Sequence, residues 1–332
     1  MSELIITVSI VAQVIFPLDE QWQVDQRGYS DALSYQVVWL SALVPFREVH
    51  QILNEVGQMN LGATTIWELN QSHAERLHQA QLREQAHVSV ERTRWHSEQY
   101  DPFLARCVSI DGGMVCILAE GWKELKVGVV SGFEQDRTSD EAQARLIDMD
   151  YRAVIGSVDE FEAVLWALAV KQLVPYAGRL LVVADGAQWI WRLVSNLFPV
   201  CTQILDYYHA KQHLAQAAHA CYPDDELAAL SWFKQMGDCL FQGEIWKIIA
   251  HLEAHQQATS YFVNQQRRMQ YQQFRAEGYP IGSGGVESAI KQFKHRLTGA
   301  GMRWSRAGAE RMVTVRAALM SGTLQDLWQQ AA

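Results

Sequence analysis

The chain of 332 residues is short of the features that would set it apart from an ordinary folded protein. Its five cysteines, Cys107, Cys116, Cys201, Cys221 and Cys239, are scattered and odd in number, and no C-x-x-C pair occurs. That excludes a disulfide framework and a cysteine-rich zinc site, and a reducing cytoplasm is the expected compartment. Prolines number 7, no internal repeat or low-complexity tract is present, and disorder, collagen and coiled coil fail as whole-chain descriptions. A long hydrophobic run is missing as well. The apolar stretch Leu4 to Phe16 is too short to span a bilayer and follows Glu3 rather than a basic region, which argues against a membrane or a signal peptide. What remains, 49% hydrophobic and 20% charged residues, suits one large domain or two to three smaller ones.

Positive charge is also in short supply, with a formal net charge of −9, which by itself disfavours a nucleic-acid partner. The distribution matters more than the sum. Between Arg267 and Arg316 stand ten basic residues against three acidic ones, so one basic face can meet a polyanion while the acidic bulk stays clear. On charge alone, a solvated helix face explains the same run.

Read in order, the chain opens with a remnant over 1–28, followed by a helical segment over 29–98. Ser30 or Asp31 caps a run through Leu33, Val37 and Leu40; Pro45 opens a second helix with Val49, Ile52, Leu53 and Val56, which Gly57 ends. Thr64-Thr65 starts a long third helix carrying Ile66, Leu69 and Leu77. Three helices with a tight turn are compatible with a DNA-binding helix-turn-helix. Near residue 100 the period changes. Arg106 to Leu118, Glu124 to Phe133 and Tyr151 to Gly156 read as a three-strand meander, then an apolar helix from Asp159 through Leu173, a fully covered strand Arg179 to Ala184, a helix Ala187 to Leu197 and a short strand Thr202 to Leu205. This order predicts an α/β mixed sheet sandwiched by helices over 99–208. An all-helical insertion occupies 209–276, with Pro223 and Gly243 as breaks, and 277–332 holds a glycine-rich loop, Tyr279 to Gly285, followed by a basic helix from Val286 towards Leu297.

Asp111 and Asp185 each put a carboxylate, followed by glycine, within or at the end of an aliphatic strand. Converging carboxylates supply the hard oxygen ligands that Mg²⁺ prefers, although each aspartate can equally cap the turn that follows it. Glu287, in the first turn of the basic helix, is a third such carboxylate, and the helix dipole alone also favours an acid there. His209 and His213 sit at i and i+4, but no third strong zinc ligand accompanies them and H-E-x-x-H is absent, so Asp206 reads as a helix cap and His209 as a group beside the carboxylates. Trp189, Trp191 and Trp304 could stack on bases, though most of twelve tryptophans must be core anchors.

The blocks Ser109-Ile110-Asp111-Gly112, Ala184-Asp185-Gly186-Ala187-Gln188-Trp189-Ile190-Trp191, Leu205-Asp206-Tyr207-Tyr208-His209 with Ala210 to Leu214, Gly282-Ser283-Gly284-Gly285-Val286-Glu287-Ser288-Ala289 and Gly301-Met302-Arg303-Trp304-Ser305 stand in the order seen in a known family. Together they resemble the acidic-triad (DDE) transposases of bacterial insertion sequences, the Kra-type family, from about Phe16 to the C-terminus. The resemblance implies a ribonuclease-H-like core in which Asp111, Asp185 and Glu287 hold two Mg²⁺ or Mn²⁺ ions, while Asp206 and His209 form a D-x-x-H element beside them. Such a site nicks double-stranded DNA at element ends with water and then uses the freed 3′-hydroxyl to attack target DNA. Lys291, Lys294, Arg296, Arg303 and Arg306 would neutralise phosphates, with Trp304 beside them. The expected protein is a cytoplasmic, nucleoid-associated homo-oligomer, a dimer by analogy. One departure is visible: the paired cysteines of a small zinc-binding segment that family members carry before a Phe-Pro-Leu-Asp stretch, here Phe16 to Asp19, are absent, so the expected chain starts within a longer ancestral protein. A truncated, non-catalytic DNA-binding relative and a metal-dependent nuclease of the same fold are the alternative readings.

Overall fold

The computed structural model describes residues 24, 28–88, 100–136, 143–299 and 301–331. The stretch Leu4 to Phe16, the Phe16 to Asp19 segment and nearly all of the 1–28 remnant lie outside the described residues. The chain divides into two compact units, Met1–His73 and Ala74–Ala332.

In the first unit, α1 (Asp31–Leu43) starts where Ser30 accepts the Leu33 N–H at 3.3 Å, and α2 (Phe46–Glu55) follows Pro45, whose fixed φ suits a helix entry. The third helix, α3 (Ala63–Ala86), begins in this unit and ends in the second. Val37, Val49, Leu53, Ile66 and Leu69 bury one shared core. His50 Nδ1 lies 2.7 Å from the Leu61 carbonyl and pins the turn between α2 and α3.

The second unit is built on a five-stranded sheet of β1 (Asp101–Ile117), β2 (Gly121–Asp136), β3 (Gln143–Ile155), β4 (Ala177–Ala184) and β5 (Thr202–Leu205), in the order β3-β2-β1-β4-β5. β2 runs antiparallel to β1 and β3, whereas β4 is parallel to β1 and β5 to β4. An antiparallel meander continued by two parallel strands, with helices around the sheet, is the ribonuclease-H-like arrangement. Its core is fully covered: Val108, Ile110, Val182, Val183 and Ile204 are buried, as a sheet fed by crossover helices requires. The meander strands are longer than the alternation predicts, because β1 opens on the exposed residues Asp101 to Phe103 and β3 on a largely polar stretch.

α4 (Val158–Lys171) starts on a reciprocal capping box between Ser157 and Glu160 and, with α5 (Gln188–Leu197), packs on the sheet. The stretch expected as a helical insertion holds α6 (Tyr207–Cys221), α7 (Glu226–Gln242), α8 (Ile245–Ala254), α9 (Ser260–Gln265) and α10 (Tyr271–Ala276). Its helices break beside Pro223 and at Gly243, as the sequence predicts. Trp232, Met236, Leu240, Ile248 and Leu252 join the same core as Val182 and Val183, so the insertion shares the core of the sheet. α11 (Gly284–Leu297), α12 (Arg306–Met320) and α13 (Leu324–Ala331) complete the unit. No described helix is long and apolar enough to cross a membrane.

Candidate active site

The parallel pairing of β1, β4 and β5 aligns three aspartates. Ile110 pairs with Ala184, and Ala184 pairs with Leu205. Asp111, Asp185 and Asp206 each follow one residue later, so they stand in a row across three neighbouring strands, which are spaced about 4.8 Å apart. This is the carboxyl edge of β4 and β5, where ligand sites of open α/β sheets gather. Residues separated widely in the chain are brought level by register alone.

The three differ in what they do. Asp111 Oδ1 accepts the Gly112 N–H at 2.6 Å and Asp185 Oδ1 accepts the Ala187 N–H at 2.9 Å, so each does cap its own turn. The second oxygen of each accepts no hydrogen bond among the described residues. Asp206 is fully buried and fully committed. Its Oδ1 accepts the His209 N–H at 2.7 Å, capping α6, while its Oδ2 accepts both the N–H (2.5 Å) and the hydroxyl (2.8 Å) of Ser283. The Tyr207 N–H donates to the Ile281 carbonyl at 2.9 Å beside it. Asp206 thus ties the β5–α6 junction to the loop that launches α11, and with it Glu287.

Two close approaches complete that placement. A Cβ on Gly282 would lie 2.9 Å from the Tyr208 ring, and a Cβ on Gly113 would lie 3.1 Å from Ile290 of α11. Glycine therefore lets the loop pass Tyr208 and lets α11 settle over β1. Glu287, in the first turn of α11, makes no hydrogen bond or ion pair among the described residues.

The charges of several of these groups act on one another. Burial pushes the Asp111 carboxyl up to about 6; the Gly112 N–H opposes this, the charges of Asp185 and Glu287 raise it further, and His209 lowers it. His213 is pushed down by burial and by His209, with Asp185 acting against both. The Tyr261 ring of α9 stacks on His213 at 3.7 Å, and its phenol is raised by burial and by Asp185 and Asp206. Asp111, Asp185, Glu287, His209, His213 and Tyr261 therefore line one neighbourhood. Tyr261 carried no signal in the sequence, since it lies in the helical insertion and reaches the site only through the fold.

Asp111, Asp185 and Glu287 each keep uncommitted oxygens, which are the hard donors that a divalent cation prefers. Among the described residues no three His, Cys, Asp or Glu side chains are gathered closely enough to hold one ion.

The expected phosphate contacts divide. Lys291, Lys294 and Arg303 are exposed. Arg296 is not: it is 2% exposed, with its guanidinium 5.0 Å from the Trp304 ring centroid. Trp304 is itself buried, its indole N–H donating to the Leu297 carbonyl at 3.0 Å. The expectation that Arg296 and Trp304 contact DNA is therefore corrected, because α11 turns position 296 inward and the 301–304 segment bridges to the end of β1. Arg306 is held by the Glu120 carboxylate and the Ile155 carbonyl. Trp189 packs edge-on against Phe161, and Trp191 lies buried under Arg268, so both read as anchors.

No protein-family model matches the chain, and no curated protein matches its sequence. Among solved structures, a Drosophila P element transposase strand transfer complex is similar over 94% of this chain and 83% of that one, at 10% identity and a TM-score of 0.28.

Proposed function

We propose that the chain is a transposase of a bacterial insertion sequence of the Kra type, cleaving double-stranded DNA at element ends and joining it to target DNA. The observation that carries this reading is the level placement of Asp111 and Asp185 on adjacent parallel strands, with Glu287 near enough for its charge to act on Asp111. Asp111, Asp185 and Glu287 are the proposed holders of two Mg²⁺ or Mn²⁺ ions. Bound there, the cations supply Lewis-acid activation of the attacking oxygen and charge stabilisation at the scissile phosphate. The residues of the chain do the positioning. Asp206 fixes the loop before Glu287, His209 adds an imidazole beside the carboxylates, and Lys291, Lys294 and Arg303 neutralise backbone phosphates on either side of the cut. Assembly as a homodimer, which would pair two element ends, belongs to the same proposal.

The test is incubation of the purified chain with a labelled duplex carrying its element ends, with Mg²⁺, with Mn²⁺ and with chelator. Metal-dependent joined products are expected, and Asp185→Asn should abolish both cutting and joining while duplex affinity stays within about twofold, since one ligand charge is lost with little change in volume. Cleavage retained by Asp185→Asn removes that residue from the site. Nicking without joining makes the protein a nuclease instead, and DNA binding without either reaction makes it a non-catalytic relative.

A further inference from the structure

A second feature lies beside Ile281, in the loop that precedes α11. Tyr207, Tyr208 and Lys211 of α6, Phe233, Lys234, Asp238 and Phe241 of α7, Arg275 of α10 and Ile281 enclose a recess of about 450 Å³. Its walls are aromatic. Tyr208 is 61% exposed and Phe233 half-buried, so both offer ring surface to the recess, while Tyr207 and Phe241 pack edge-on behind them, 6.0 Å apart. Its cations are set among those rings: Lys211 Nζ lies 5.6 Å from the Tyr207 centroid and 5.7 Å from that of Phe233, and the Arg275 guanidinium lies 5.8 Å from Phe241. Lys211 and Lys234 form no ion pair among the described residues. Among the described residues that line the recess, Asp238 is the one carboxylate.

We infer that this recess binds one unpaired nucleotide of a DNA strand, its base on the Tyr208 and Phe233 rings and its phosphate on Lys211 and Lys234. The inference rests on the nucleic-acid reading above. Aromatic faces hold bases without regard to sequence, and lysine and arginine around them track the backbone. A base inside a duplex has both faces covered by its neighbours, whereas a concave pocket with ring walls accepts a single exposed one. Asp238 can accept a hydrogen bond from a base amino group but has no donor for a phosphate. The location connects the recess to the acidic row. Tyr208 stands against Gly282, and its neighbours in the chain are Tyr207, bonded to Ile281, and His209, whose charge reaches Asp111. A strand with its scissile phosphate at the carboxylates therefore has the recess at hand for an adjoining nucleotide that is not base-paired.

The experiment compares two labelled duplexes on the full chain, one blunt and one ending in a short single-stranded flank that contains 2-aminopurine, with flanks of either polarity. The flanked duplex should bind about tenfold more tightly, the worth of one stacked base, and its 2-aminopurine fluorescence should be quenched. Tyr208→Ala should remove most of that preference and the quenching, Tyr208→Phe should keep both, and blunt-duplex affinity should stay within about twofold in each variant. Tyr208 is largely exposed, so these variants should fold, and Phe233→Ala gives an independent second reading of the same wall. Equal affinity of the wild-type chain for both duplexes, or a preference that survives both Tyr208→Ala and Phe233→Ala, overturns the recess while leaving the acidic site untouched. Failure of the wild-type chain to bind either duplex overturns the nucleic-acid reading and this inference with it.

Discussion

Asp111 carries opposed demands. Its carboxyl is held up to about 6 by burial and by the charges of Asp185 and Glu287, so in metal-free protein at neutral pH an ionised Asp111 costs stability. Asparagine keeps the carbonyl oxygen that accepts the Gly112 N–H and removes the charge. Asp111→Asn should therefore raise the stability of metal-free protein by about 1 kcal/mol, roughly 2 °C in melting temperature, a figure reduced for solvent screening, while abolishing cleavage. A melting temperature that falls, or does not move, in calorimetry would mean that burial and the neighbouring charges do not burden Asp111. At this scale much of the candidate site was legible. A carboxylate within or at the end of an aliphatic strand is an uneconomical residue unless it has a task, and that reasoning singled out both Asp111 and Asp185. Asp206 read as a cap, and it is one, but its clamp on Ser283 joins positions 77 apart and could come only from the fold. Arg296 and Trp304 were misread for a related reason: charge and aromaticity do not report which way a side chain faces.

The helix α11 shows how facing is decided. Val286, Ala289, Ile290, Phe293 and Leu297 recur at helical spacing and are buried, which leaves Lys291 and Lys294 on the outer face, while Arg296 shares the inner one. The apolar stripe thus sorts a run of basic residues into those that can meet a phosphate and those that cannot. If the outer pair does so, each lysine accounts for about 0.9 of the slope of log affinity against log salt, and Lys291→Ala with Lys294→Ala should flatten that slope by roughly two while weakening binding to all duplexes alike. An unchanged slope in salt titrations would reduce this face to a solvated surface. Adding Arg296→Ala should leave the slope where the double variant put it, and cost stability instead. Element identity was read well wherever the period was clean, as in the covered strand β4 and the short β5. It was read short in β1, which opens on the exposed Asp101 to Phe103, and in β3, which opens on a largely polar stretch, although the strands continue there.

At the level of the whole molecule, the acidic site exists only because the chain is folded. Asp111 comes from β1, Asp185 from the end of β4 and Glu287 from the first turn of α11, after the entire helical insertion has intervened. The order of strands and helices was legible, but the row of carboxylates is a consequence of register and of parallel pairing, neither of which any one segment encodes. A cation held by all three sources binds the native state and not the unfolded chain, so it must stabilise the fold by mass action: about 2.7 kcal/mol when its concentration is a hundred times the dissociation constant. The melting temperature of the wild-type chain should therefore climb with the logarithm of Mn²⁺ concentration and fall back with chelator, in the absence of any DNA. Asp185→Asn should flatten that rise, since an exposed, non-specific Mn²⁺ site elsewhere would not depend on this carboxylate. A wild-type melting temperature indifferent to Mn²⁺ would separate the row of acids from metal binding altogether, and a rise that survives Asp185→Asn would place the cation at another part of the surface.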